Sequence, residues 1–107
     1  MSDVTNVILK YPVSAYKNGE ERQLKEVNKF FGDDKGFVSV EDGSLPRGWY
    51  GGTKYLEVEL AIGAFNYLNL EGLIRHLKNN VKWEDREGIQ LIFQGQQDEY
   101  MSIENIY

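Results

Sequence analysis

Glu57 and Glu59 are the carboxylates whose spacing best suits acid–base chemistry. Residues two apart on a strand point the same way and sit about 6.8 Å apart along it, a separation that fits a general acid and base or a shared cation. The same spacing describes the polar, solvated face of any half-buried antiparallel strand, and this second reading is preferred because no further catalytic signature accompanies the pair. His76 is the only histidine and the chain has no cysteine. A Ser–His or Cys–His nucleophile system needs an oriented partner that the sequence does not supply, and His76 is expected on the polar, exposed side of a helix. Multi-histidine metal centres, disulfides and thiolate chemistry are removed, while a carboxylate site for Mg²⁺ or Ca²⁺ stays open. Gly51-Gly52-Thr53-Lys54 leads into a strand, whereas a phosphate loop leads from a strand into a helix, so it carries no nucleotide signal.

These residues need elements to position them. Asn6–Tyr11 is apolar, partly β-branched and stopped by Pro12, which reads as a strand. Between Glu20 and Phe31, Leu24, Val27, Phe30 and Phe31 fall on one side of a helix that follows Asn18-Gly19 and closes at Gly32. Phe37, Val38 and Val40 form a short strand. Residues 44–53 make a loop carrying Trp49 and Tyr50, either as interface anchors or as a lid over the core. From Tyr55 to Ala64 the sequence alternates, and Leu56, Val58, Leu60, Ile62 and Ala64 are expected on one face.

Asn69 stands where an N-cap belongs, ahead of Leu70, Leu73, Ile74, Leu77 and Val81 at helical offsets. Residues 89–94 and 99–106 read as a final hairpin, with Ile89, Leu91 and Phe93 on one face and Met101 and Ile103 joining them. The order β-α-β-β-α-β-β predicts one α+β domain over 1–107. It comprises a mainly antiparallel sheet of about five strands, two helices on one face, and the other face at least partly open.

Charge is unevenly distributed. The chain of 107 residues has 17 acids against 12 Lys and Arg, a net −5. Residues 84–107 hold six acids (Glu84, Asp85, Glu87, Asp98, Glu99 and Glu104) against Arg86 alone, so the whole excess lies there. An acidic end steers basic partners and repels phosphate, and the Lys and Arg residues never cluster among the aromatics, which disfavours nucleic-acid binding. The first twenty residues lack the pattern of a signal peptide, and no run approaches the ~18 apolar residues of a membrane span. A cytoplasmic location and no membrane partner are expected.

The stretch Phe65–Leu77, followed by Trp83-Glu84-Asp85 and Ile89–Phe93, resembles the C-terminal half of small immunity proteins from bacterial polymorphic-toxin and contact-dependent inhibition systems. That resemblance implies a small, non-catalytic, cofactor-free cytoplasmic protein that blocks a toxin domain, commonly a basic nuclease. From the residues themselves, Glu84, Asp85, Glu87, Asp98 and Glu99 are the candidate partner-binding carboxylates, with Trp49, Tyr50 and Trp83 as candidate anchors. The alternatives are a small carboxylate-based or cation-dependent enzyme using Glu57 and Glu59, or a structural subunit that dimerises through the exposed sheet face.

Overall fold

Val4–Pro12 (β1) is the central strand of a five-stranded sheet in a computed structural model, which describes residues 3–13, 19–32, 36–42, 51–52 and 56–107. The remaining described elements are α1 (Gly19–Asn28), β2 (Val38–Ser39), β3 (Val58–Asn66), α2 (Leu70–Asn79), β4 (Gln90–Gly95) and β5 (Ser102–Asn105). The sheet order is β2-β3-β1-β4-β5 and every neighbouring pair is antiparallel. This is the expected α+β class, with the expected order of elements.

Strand parity decides what is covered. Val7, Leu9 and Tyr11 of β1 share a face with Ala61 of β3 and Leu91 of β4, through the register Leu9 to Ala61 and Leu9 to Leu91. These residues are buried together with Val27 of α1 and Leu73 and Leu77 of α2. Burial of these apolar groups is the main favourable contribution to folding. The helix-facing side of β3 therefore runs Glu59, Ala61, Gly63, Phe65, opposite to the expected face.

The reason lies in size. Ala61 and Gly63 leave room beneath the helices, and a Cβ on Gly63 would stand 2.6 Å from the Phe65 ring. That ring stacks on Phe31 at 4.2 Å between centroids and meets Phe37 edge-on. Ile62 and Ala64 point the other way and are exposed. Both faces of β3 are apolar, so its period of two identifies a strand without identifying the covered side.

The final hairpin departs from expectation for the same reason. Leu91 pairs with Glu104 and Ile92 with Ile103, so Ile103 lies on the face away from Leu91. Met101 and Ile103 are exposed. Ile106 enters the core instead, and its N–H donates to the Ile89 carbonyl at 2.8 Å.

Besides Val27 in the core, α1 is held by side-chain to main-chain bonds. Gln23 and Glu26, one helical turn apart, accept the N–H groups of Glu84 and Lys82 at 3.2 Å each, so the segment after α2 is held along α1. Its alternate residues Val81 and Trp83 enter the core. At the last residue of the helix, Asn28 makes two bonds to Phe37, donating to its carbonyl at 3.0 Å and accepting its N–H at 2.8 Å, which imitates a strand bridge and sets the entry to β2. The N-cap of α2 is as expected, with Asn69 Oδ1 accepting the Gly72 N–H at 3.1 Å.

Candidate functional site

The acidic residues of the C-terminal segment fall into two groups at opposite ends of β4. Glu84, Asp85 and Glu87 precede the strand, while Asp98 and Glu99 follow it in the turn to β5. Six residues of strand separate the groups by roughly 20 Å. Glu104 belongs to neither: it is half-buried on the covered face, opposite Leu91. A run that is continuous in sequence is thus two patches in space.

The first patch is partly committed to the fold. Glu84 pairs with Arg22 of α1 at 2.8 Å, and its side chain is mostly covered while that of Arg22 is exposed. Asp85 accepts the Glu87 N–H at 2.9 Å, which shapes the loop, and Glu87 is exposed. Arg86, the only base of the segment, lies over the Tyr107 ring at 5.0 Å from its centroid, a cation–π arrangement. The Tyr107 hydroxyl in turn donates to the Lys78 carbonyl of α2.

The second patch is held by its own turn. Asp98 Oδ2 accepts the Gly95 N–H at 3.0 Å, the Asp98 N–H donates to the Gly95 carbonyl at 3.0 Å, and Gln94 Nε2 donates to the Asp98 carbonyl at 2.8 Å. These three bonds orient the turn that displays Glu99 and Tyr100. Tyr100 is 81% exposed and follows directly on the two carboxylates. Tyr100 is not among the residues expected from the sequence, where the aromatics beside glycines, Trp49 and Tyr50, give the stronger anchor signal. An aromatic next to two acids in a hairpin turn was the available signal.

Of the three expected anchors, Trp83 alone lies among the described residues. Trp83 is buried at 7% exposure, its Nε1–H donates to the Leu77 carbonyl at 2.8 Å, and its ring is tilted against Tyr11. It is a core residue, because the alternation of Val81 and Trp83 turns both inward. Trp49 and Tyr50 lie outside the described residues.

His76 is not on an exposed helix side. It is 9% exposed, and its Nε2 lies 2.8 Å from the Glu26 carbonyl of α1. The apolar stripe of α2 is wide enough to include position 76, since α1 and the Phe30 ring pack beside it.

Glu57 and Glu59 do not form a matched pair. Glu57 is exposed just before β3, whereas Glu59 is half-buried on the helix-covered side and accepts a hydrogen bond from the Ser39 hydroxyl at 3.2 Å. The solvated-face expectation fails for Glu59 because it shares the parity of Ala61. It instead lines an open recess of about 280 Å³ with Tyr11, Glu21, Leu24, Ser39, Glu41 and Asp42. Carboxylates from α1, β3 and the turn after β2 meet there, although residues 1–83, to which they belong, are electrically balanced overall. Among the described residues, no group of three or more His, Asp or Glu has an arrangement that could hold a metal ion. No described helix is long and apolar enough to cross a membrane.

No protein-family model, curated protein or solved structure matches this chain.

Proposed function

We infer that the chain is a non-catalytic immunity or antitoxin-type protein, which binds and inhibits a cognate toxin domain, a basic nuclease, through an acidic surface in the cytoplasm. The β4–β5 turn carries this reading. It combines two carboxylates, Asp98 and Glu99, with the exposed ring of Tyr100 on a backbone fixed by three local hydrogen bonds. Such a turn loses little conformational freedom on binding. Carboxylates on a chain of net charge −5 accelerate encounter with a basic surface, and a tyrosine is the kind of residue that dominates interface energies. Asp85 and Glu87 form a second contact region about one strand length away.

The inhibitor blocks a nuclease by placing carboxylates where the enzyme holds phosphate. The stretches Phe65–Leu77, Trp83-Glu84-Asp85 and Ile89–Phe93, read as resembling small immunity proteins, are in keeping with the same proposal. The test is capture on the immobilised full chain from its native host, followed by a nuclease assay on the captured protein. The expected result is one basic protein at equimolar ratio, whose nuclease activity is lost on adding one equivalent of this chain. A captured partner that is acidic, or whose activity is unaffected, overturns the reading.

A further inference from the structure

The open face of the sheet carries one β-branched aliphatic residue from every strand, all in direct register. Val38 pairs with Ile62, Ile62 with Ile8, Ile8 with Ile92, and Ile92 with Ile103, so the row crosses β2, β3, β1, β4 and β5 without interruption. Val38, Ile62 and Ile103 are 46%, 37% and 62% exposed. Leu60 and Ala64 extend the apolar surface on β3, and Val58 and Pro12 extend it at one end. Both helices lie on the other side, against Leu9 and Leu91.

We propose that this face is a homodimer interface, in which two copies pack sheet on sheet across a two-fold axis.

Charge favours a second copy over the basic partner of the acidic patches. Among the open-face positions of the paired strands, Lys10 is the one charged residue, in a chain of net −5. The Lys10 ammonium extends toward Gly88, outside the row, and leaves its aliphatic stem against the face. A basic protein gains no electrostatic attraction here, whereas an apolar row meets its own copy with like matched to like, as an isologous contact requires. The acidic turn after β4 stays at the end of the hairpin, open to its own partner.

Size points the same way. Five strands about 4.8 Å apart and three to four side-chain rows about 6.7 Å apart give a face of roughly 600 Å² per copy. The two copies together bury about 1,200 Å², the lower bound of specific interfaces, so a reversible dimer is expected. β-branched side chains held in a sheet lose little rotamer freedom on packing, and twisted sheets stack face to face at about 10 Å.

The test is sedimentation equilibrium of the full chain from micromolar to millimolar concentration. The mass is expected to rise from 12.4 kDa toward twice that value. Ile62→Lys with Ile103→Lys, both at exposed positions, shifts the midpoint of that rise at least tenfold upward, while Asp98→Asn with Glu99→Gln leaves it unchanged. Far-UV circular dichroism checks that the lysine variant is folded. Independently of any variant, dilution of the unmodified chain shifts the methyl resonances of Ile8, Ile62, Ile92 and Ile103 and leaves those of Leu73 and Leu77 in place. A mass of 12.4 kDa throughout, or a dimer insensitive to folded lysine variants, overturns the proposal and assigns the face to another partner or to none. Neither result bears on toxin capture, which uses the acidic turn.

Discussion

His76 Nε2 lies 2.8 Å from the main-chain carbonyl of Glu26, so a side chain of α2 closes the C-terminal end of α1. A carbonyl oxygen only accepts, so Nε2 carries the proton, and Nδ1 faces Asn80 Nδ2 at 3.4 Å. The Glu26 carbonyl needs this donor. The Phe30 N–H, its partner in a continued helix, bonds the Val27 carbonyl instead as α1 tightens. One imidazole thus ties together two helices that are fifty residues apart in sequence.

Replacing His76 by Leu keeps much of the volume and leaves the Glu26 carbonyl without its donor. The expected loss is about 1–3 kcal/mol in urea unfolding, the cost of an unmet buried acceptor. His76→Gln, whose amide N–H reaches in the same direction, recovers part of it. Equal losses for both variants would show that packing against Phe30, and not the hydrogen bond, accounts for the contribution.

A second prediction concerns the entry to β2. Asn28→Ala removes both bonds to Phe37 and is expected to cost about 1–3 kcal/mol. Gly36→Ala forces a Cβ to within 2.4 Å of Asn28 Oδ1 at a φ of +119°, which L-residues rarely adopt. The two effects share an atom, so they are not additive. In a double-mutant cycle by thermal or urea unfolding, Gly36→Ala costs less in the Asn28→Ala background, with a coupling of at least about 0.5 kcal/mol. An additive cycle would rule out the steric account.

Local signals were legible wherever one residue determines its own surroundings. Pro12 ends β1, Asn69 caps α2, and the alternation through Val58–Ala64 marks a strand, each through a constraint acting within a few residues. What the sequence could not show was which way a strand faces when both sides are apolar. Ala61 and Gly63 look like weak core residues until the register sets them beside Leu9 and Val7. The burial of His76 and Trp83 is hidden for a related reason, since each is covered by a partner far away in the chain: Glu26 for the first, Tyr11 for the second. The acidic segment looks like one patch in sequence, because nothing local shows that β4 holds its two halves apart. Glu59 and the recess beside it draw on four separate segments, so no local window reveals them.

Trp83 gives a third prediction. Trp83→Phe retains an aromatic ring beside Tyr11 and removes the donor to the Leu77 carbonyl, near the end of α2. Unfolding free energy is expected to fall by about 1–3 kcal/mol, and Trp83→Ala by about 3–5 kcal/mol. Neither variant changes the association rate with the captured partner once corrected for folded fraction. A slower association by fully folded Trp83→Phe would place this residue in the interface after all.

The acidic turn supplies the most discriminating prediction. Asp98 both carries charge and accepts the Gly95 N–H, so charge reversal there would mix electrostatics with damage to the turn. Asp98→Asn retains a side-chain oxygen for that bond, and Glu99→Gln alters charge alone. The pair of neutral variants is therefore expected to leave the thermal midpoint within about 2 °C of the unmodified chain. It should also slow association with the captured basic partner about tenfold at low salt, with a flatter dependence on ionic strength. Tyr100→Ala acts on the other half of the reaction. It leaves the approach unchanged and speeds dissociation by about ten- to thirtyfold, as loss of an interface anchor of about 2 kcal/mol does. Stopped-flow association and surface-immobilised dissociation separate the two effects. An unchanged association rate for the neutral pair, with salt dependence intact, moves the binding surface away from this turn and toward Asp85 and Glu87.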